Sequence, residues 1–108
     1  MVSGFGDMGS LLKQAQEMQK RLQEAEEALA SRRIEGSAGG GAVKVVVNGK
    51  QEVESVTIDP EAVDRDDVAG LEAMVKAAFS QALEASRELK KAEQAKVTGG
   101  MNLPGMGF

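Results

Sequence analysis

The spacing of apolar residues in the first third of the chain constrains its fold more than any other feature. From Met8 to Leu29 they recur at alternating intervals of three and four residues. This spacing places one narrow apolar stripe along a helix and leaves its other faces polar. It therefore predicts a long amphipathic helix over residues 8–31. The stripe consists of Met8, Leu11, Ala15, Met18, Leu22, Ala25 and Leu29.

Two β-branched runs follow this helix. Residues 42–47 and 51–58 flank the dipeptide Asn48-Gly49, which is a strong hairpin signal because a type I′ turn needs positive φ at both central positions. A short stretch around Ile34, ahead of a glycine-rich segment, adds one more strand to the prediction. We therefore expect a three-stranded antiparallel meander.

A second apolar stripe predicts a second long helix. Residues 59–63 are expected to form one capped helical turn with Pro60 at its first helical position. Three carboxylates then favour a helix start, where they complement the helix dipole: Asp64, Asp66 and Asp67. The stripe itself consists of Val68, Leu71, Val75, Ala78, Ala82, Ala85, Leu89 and Ala92. Bulky residues widen it only as far as Leu83, so we expect the first half of this helix to pack on the sheet.

These elements predict an α+β fold in a single domain over residues 1–108, with flexible glycine-rich tails at 1–7 and 98–108. Helices of about 24 to 28 residues are about 36–42 Å long, whereas strands of about 6 to 8 residues reach only about 20–26 Å. The helices must therefore overhang the sheet as an antiparallel pair. Because so small a sheet buries only a thin core, we expect a homodimer.

The composition excludes most catalytic chemistry. The chain contains no histidine and no cysteine, which removes disulfides, thiolate zinc sites and thiol nucleophiles. The glycines between Gly36 and Gly41 lead into a strand, which favours a turn over a phosphate-binding loop. The carboxylates between Asp59 and Asp67 lack the spacing of a calcium loop and favour capping instead. We expect a protein that is not an enzyme and has no catalytic residues, metal site or cofactor.

Two further classes are disfavoured. The chain has three phenylalanines and no tryptophan or tyrosine, so it lacks the aromatic platform on which single-stranded nucleic acids stack. It shows neither a signal-peptide pattern nor eighteen consecutive apolar residues, and we therefore expect a cytoplasmic protein without membrane association.

Basic side chains are concentrated on the outer parts of the two helices. They are Lys13, Lys20, Arg21, Arg87, Lys90, Lys91 and Lys96. In an antiparallel pair, the end of the second helix is expected beside the start of the first, which gathers Lys13 with Lys90 and its neighbours. Such a tip is suited to phosphates. The alternative is that these residues only solvate the helices through pairs such as Arg87 with Glu84.

A series of short motifs also runs along the chain in a specific order. They are Leu11-Leu12-Lys13-Gln14-Ala15-Gln16-Glu17-Met18-Gln19, Gly39-Gly40-Gly41-Ala42-Val43-Lys44-Val45, Val47-Asn48-Gly49, Val56-Thr57-Ile58-Asp59-Pro60-Glu61, Leu71-Glu72, Ala77-Ala78-Phe79 and Gly100-Met101-Asn102-Leu103-Pro104-Gly105-Met106. In these motifs the chain resembles the YbaB/EbfC family of bacterial nucleoid-associated proteins over nearly its whole length. It departs from a common family pattern after Phe79, where Ser80-Gln81 replaces Asn-Asp.

The resemblance implies a tweezers-like homodimer whose sheets form the body and whose helices form projecting arms. It also implies binding to double-stranded DNA, a location at the nucleoid, and an influence on nucleoid compaction and gene expression. No catalytic residues come with it. We expect apolar strand residues to carry dimerisation and the seven basic residues to contact phosphates. The expected dimerisation residues are Val43, Val45, Val47, Val56 and Ile58.

The sequence therefore predicts a homodimeric DNA-binding protein of low sequence specificity. Its net charge of −4 opposes binding to phosphates, so we expect weak affinity that falls steeply with salt. The alternative is a non-catalytic clamp for another protein, in which the helical arms and the segment 98–108, with its Met and Phe residues, hold the partner.

Overall fold

The computed structural model describes residues 3–99, with side chains from Met8 onward, and shows two long helices around a three-stranded sheet. The elements in chain order are α1 (Ser3–Leu29), β1 (Arg33–Ala38), β2 (Val43–Asn48), β3 (Val53–Ile58), a 3-10 turn (Pro60–Ala62) and α2 (Val68–Val97). The sheet is an antiparallel meander in the order β1-β2-β3. The predicted α+β fold is thereby confirmed.

The first helix is longer at its start than the apolar spacing predicts. It begins at Ser3, five residues ahead of Met8, and ends at Leu29. Residues 3–7 of the expected N-terminal tail are therefore helical. Gly4 and Gly6 are weak helix formers, so neither propensity nor periodicity marks these residues as helix. At the other end Thr98 and Gly99 form a turn, and the rest of the expected tail, 100–108, lies outside the described residues.

The glycine-rich segment forms the turn between β1 and β2, as expected. Gly39, Gly40 and Gly41 all have positive φ, at 64°, 65° and 95°. Backbone hydrogen bonds from Gly41 N–H to Ala38 O and from Ala42 N–H to Gly39 O close the turn. Positive φ costs glycine least of all residues, and a chain reversal explains this segment without a bound phosphate.

The hairpin lies where Asn48-Gly49 predicts it, but its turn is of another type. Asn48 N–H donates to Glu52 O at 2.9 Å, so three residues form the loop and the positive φ falls on Gln51, at 63°. The expected type I′ turn is therefore wrong. Gly49 is required for a different reason, because a Cβ there would lie 2.8 Å from the carbonyl oxygen of Leu29. The loop is a three-residue hairpin with a left-handed residue at its end.

The core lies between one face of the sheet and the first half of α2. Alternate residues of β2 point at the helix, and Val43, Val45 and Val47 are fully buried there against Ala78 and Ala82. A close approach makes this possible: a Cβ on Gly36 would lie 2.3 Å from Ala78 O. The expected packing of the first half of α2 on the sheet is confirmed.

Carboxylates cap the helical elements that follow β3. Asp59 Oδ1 accepts from Glu61 N–H at 3.0 Å, and Asp67 Oδ1 accepts from Gly70 N–H at 3.0 Å. Asp64 Oδ1 accepts from Asp66 N–H in the turn between them. These contacts confirm the capping interpretation of the acidic cluster.

The second helix meets the first at the hairpin loop, in a contact that we call the turn joint. It consists of Leu29, Asn48, Gly49, Gln51 and Ser86. Gly49 N–H donates to Leu29 O at 2.9 Å. The buried Ser86 hydroxyl donates to Asn48 O at 2.6 Å and accepts from Gln51 Nε2 at 3.0 Å. Leu29 itself is 1% exposed. The joint therefore fixes both helices to one end of the sheet.

We expect Gly36→Ala to lower the free energy of unfolding by about 1–3 kcal/mol, because the new methyl group collides with helix backbone that cannot yield cheaply. Gly9→Ala is the matched control, since a Cβ at Gly9 has nothing within 4 Å, and it should raise stability by about 0.5–1 kcal/mol. Urea unfolding followed by circular dichroism at fixed protein concentration measures both. Equal effects of the two substitutions would contradict the packing of β1 against α2.

Ser86→Ala should also destabilise the chain, by about 1–3 kcal/mol, because it removes the two hydrogen bonds that the buried hydroxyl makes with Asn48 O and Gln51 Nε2. Ser80→Ala on the same helix is exposed and should be neutral or slightly stabilising. The same urea titration tests the pair. A Ser86→Ala variant as stable as the Ser80→Ala variant would mean that the turn joint does not depend on this hydroxyl.

Candidate nucleic-acid interface

Beyond the turn joint the two helices leave the sheet and form a projection that we call the arm, made of residues 3–29 and 86–97. Leu29 and Ser86 lie at the same level, because both contact the hairpin loop. From that level α2 continues to Val97, about 16 Å away, whereas α1 reaches back to Ser3, about 39 Å away. The first helix therefore extends beyond the second by about 23 Å.

Burial along the arm shows where the helices touch. Among residues 8–29 of α1, the half-buried and buried positions are Met18, Leu22, Ala25 and Leu29. Beyond Ser86 they are Leu89, Lys90, Glu93 and Val97 of α2, together with its C-cap Thr98. Residues 8–17 of α1 are all exposed. Contact between the helices thus ends near Met18 and Val97, and residues 3–17 form the part of α1 that we call the overhang.

The basic residues of α2 lie on two different flanks of the arm. Steps of three and four residues place Arg87, Lys90 and Lys91 on one flank. Lys96 lies on the other flank, where its Nζ contacts Glu93 Oε1 at 3.2 Å. Arg87 and Lys91 are exposed and Lys90 is half-buried. Three of the predicted phosphate contacts are therefore neighbours in the structure, and the fourth is separate from them.

The basic residues of α1 lie away from the seam. Lys13 and Lys20 are on the face opposite the buried stripe, and Arg21 is on a side; all three are exposed. Lys20 falls near the level of Lys96, while Lys13 lies on the overhang beyond the end of α2. The expected gathering of Lys13 with Lys90 is therefore wrong. The turn joint pairs Leu29 with Ser86, and α2 is too short beyond this level to reach Lys13.

Few of the seven predicted basic side chains form ion pairs with carboxylates in the described part of the chain. The ion pairs within residues 8–99 are Arg32 with Glu93 at 3.7 Å, Arg33 with Glu54 at 3.4 Å, and Lys96 with Glu93 at 3.2 Å. Of the seven predicted bases only Lys96 has an ion pair in this part of the chain. The alternative predicts an ion pair between Arg87 and Glu84, and the described side chains show no such pair.

Acidic and basic residues are unevenly distributed between the sheet end and the outer half of α2. Residues 33–67, which hold the sheet and the turn before α2, carry eight acidic and four basic side chains. Residues 86–97 carry four basic and two acidic side chains. The net negative charge thus resides mainly on the sheet end, and the outer half of α2 is locally positive.

The structure divides the expected dimerisation residues into two groups. Val43, Val45 and Val47 are fully buried in the core of one chain, beneath α2. Val56 and Ile58 are 45% and 36% exposed. Their partners across the ladder are Val45 and Val43, so they share the helix-facing side of the sheet but lie on the edge strand beyond the cover of α2.

Sequence reasoning missed a third exposed residue of this edge. Val53 is 49% exposed and pairs with Val47, which places it on the same face as Val56 and Ile58. A register shift between Val46 and Val47 breaks the simple alternation, so that Val53 and Val56 share a face although they are three residues apart. The odd spacing of the two valines is the signal that a bulge leaves in the sequence.

The two edges of the sheet differ in their cover. On β1, Ser37 N–H donates to Gln81 Oε1 of α2 at 2.7 Å, so a side chain of the helix occupies part of that edge. Gln81 belongs to the Ser80-Gln81 departure noted above and thus contributes a contact between helix and sheet. All six residues of β3 are exposed. In residues 3–99, neither helix combines the length and apolarity needed to cross a membrane.

Comparison with known proteins places the chain among bacterial relatives. A nucleoid-associated protein of Desulforamulus reducens is 48% identical over 101 residues, covering 94% of this chain and 96% of the relative. One of Caldanaerobacter subterraneus is 47% identical over 103 residues, covering 95% of this chain and 92% of the relative. Both alignments span nearly the whole of each protein.

A solved structure and a family model agree with this result. The crystal structure of an uncharacterized protein from Helicobacter pylori matches with a TM-score of 0.63 at 24% identity, covering 72% of this chain and 90% of that one. At this identity the match supports the fold. The model of the YbaB/EbfC DNA-binding family matches residues 5–101. By that match, and by the identity to its relatives, this chain belongs to the YbaB/EbfC DNA-binding family.

Proposed function

We propose that the chain binds double-stranded DNA as a homodimer with low sequence specificity, and that it acts at the nucleoid on DNA organisation and gene expression. One observation carries the proposal: a chain of a DNA-binding family presents Arg87, Lys90 and Lys91 together on one flank of a projecting arm. Its relatives are named nucleoid-associated proteins, which supports the location. The proposed activity is binding and requires no catalytic group.

The chemistry of the arm suits the DNA backbone. Guanidinium and ammonium groups bind phosphate oxygens through charge-assisted hydrogen bonds, and such contacts carry no sequence information by themselves. Arg87 and Lys91 lie one helical turn apart on the exposed surface of α2, and Lys13 and Lys20 are separate exposed basic side chains on α1. Low sequence specificity follows, because every basic side chain assigned to the interface contacts a phosphate group and not a nucleobase.

The acidic sheet end limits the affinity. With a net charge of −4, the whole molecule is repelled by DNA at long range, and the local positive charge of residues 86–97 supplies the attraction. Binding that rests on a few released counterions is steeply salt-dependent. A dimer offsets this weakness by presenting two arms, because the second contact is then made at high effective concentration.

The edge strand β3 supports the homodimer. Its side chains Val53, Val56 and Ile58 form an exposed apolar row on the helix-facing side, and exposed edges of this kind pair readily with another strand. The opposite edge is partly occupied by Gln81. We therefore assign the dimer contact to β3, with Val43, Val45 and Val47 supporting it from the core beneath.

Reversing the charge of the arm flank should abolish most DNA binding. Arg87→Glu with Lys91→Glu removes two phosphate contacts, so the slope of log K against log salt should fall in magnitude by about 2. At low salt we expect at least a tenfold loss of affinity for a fluorescent duplex, measured by anisotropy. Lys44→Glu with Lys50→Glu makes the same change in net charge on exposed residues of the sheet end.

The control separates a local site from an overall charge effect. The sheet-end variant should lose much less affinity than the arm variant, and an unrelated duplex should compete nearly as well as the labelled one. Equal losses in both variants would overturn the arm as the interface. Absence of binding by the parent chain at low salt would overturn DNA binding itself.

Val56→Glu should convert the dimer to a monomer, because it places an unpaired charge in the apolar row of β3. Thr57→Glu is the matched control, since Thr57 is also exposed and points to the other face of the same strand. Light scattering after size exclusion should give twice the 11.3 kDa chain mass for the parent and the control. A dimeric Val56→Glu variant would place the interface elsewhere.

A further inference from the structure

The overhang of α1 exposes an apolar surface that no other part of residues 8–99 covers. Met8, Leu11 and Leu12 are 66%, 63% and 62% exposed. They are not scattered: Leu11 and Ala15 continue the line of Met18 and Leu22, which is the seam that faces α2 closer to the sheet. The stripe that α2 covers as far as Met18 thus runs on without its partner.

The chain itself leaves α2 beside the start of this uncovered surface. Val97 and Thr98 are half-buried, at the level where contact with α1 ends. Gly99 has φ of 64°, and its N–H donates to Lys96 O at 3.2 Å, which is how a glycine ends a helix. The segment that follows therefore starts next to the uncovered stripe, with a change of direction.

The composition of residues 100–108 matches the surface. The segment contains no charged side chain, and four of its residues are apolar: Met101, Leu103, Met106 and Phe108. Methionine adapts its shape to irregular apolar surfaces, and Pro104 reduces the entropy that the segment loses on becoming ordered. These four apolar side chains would not increase solubility, but they can bind an apolar surface.

The length of the segment is sufficient. The stripe from Met18 to Met8 spans about 15 Å along the helix. Nine residues extend over as much as about 30 Å, so residues 100–108 cover the stripe with slack to spare. Because the segment is tethered at Gly99, its effective concentration at the stripe is of the order of millimolar. At micromolar protein concentration, contact of the segment with its own chain is thereby favoured over contact with a second copy.

We propose that residues 100–108 dock on the apolar face of the overhang of the same chain and take the place that α2 has closer to the sheet. The docked segment removes the Met8-Leu11-Ala15 surface from solvent and keeps the arms from associating with one another. It leaves Lys13 free, because Lys13 lies on the opposite face of α1. The docking is independent of DNA binding.

The absence of native cysteine permits a direct test by disulfide formation. Ala15→Cys places a thiol on the stripe, and Asn102→Cys places one between two apolar residues of the segment. Gln16→Cys with Asn102→Cys is the matched control, since residue 16 points away from the stripe. Oxidation at low micromolar concentration, followed by non-reducing electrophoresis, should give an intramolecular disulfide at least fivefold faster in the Ala15 pair. Leu103→Ser with Met106→Ser should reduce that rate to the control value.

The outcomes distinguish docking of residues 100–108 on their own chain from docking on a second chain and from no docking. Equal rates in the two pairs would overturn the proposal, and so would a product that links two chains instead of one. Hydrogen exchange on the chain without cysteines gives a second readout: removing residues 100–108 should raise exchange in residues 8–18 several-fold and leave β2 unchanged. No change at residues 8–18 would also overturn it. Neither experiment involves DNA, so these results are separate from the test of the proposed function.

Discussion

The contact between the last turn of α1, the hairpin loop and Ser86 determines the geometry of everything beyond the sheet. Gly49 lets the loop approach Leu29 to within a hydrogen bond, and Ser86 anchors α2 to Asn48 at 2.6 Å. These contacts set which residues of the two helices face each other. The length of the arm, the position of its basic residues and the uncovered overhang all follow from the alignment of Leu29 with Ser86 at the turn joint.

The outer half of α2 and the sheet end have net charges of opposite sign, and the proposed function depends on their separation. Repulsion from the sheet end weakens with distance and is screened within about 10 Å at 0.1 M salt. Five of the eight acidic side chains of residues 33–67 lie between Asp59 and Asp67, just ahead of α2, and Ser86 is about 27 Å further along that helix. The basic side chains beyond Ser86 are therefore distant from most of the acidic ones. A net-negative protein thereby keeps a local surface that attracts DNA.

Periodicity and turn chemistry predicted the fold, because each element carries a local signal. The stripes of both helices, the turn at Pro60 and the β-branched runs are all of this kind. The turn at Asn48-Gly49 was misjudged, since Gly49 is required by a tertiary contact with Leu29 that no local pattern records. The relative level of the helices was misjudged for the same reason, and with it the neighbours of Lys13. The exposed position of Val53 beside Val56 was not predicted, because a bulge interrupts the alternation of the strand.

The central claim is that the arm, and not the sheet end, meets DNA. Amide chemical-shift mapping of the full chain on titration with a short duplex at low salt tests it most directly. The account predicts that the largest shifts fall on residues 86–97 and on α1 around Lys20, with residues 43–58 nearly unchanged. Shifts concentrated on the sheet, with the arm unaffected, would contradict it.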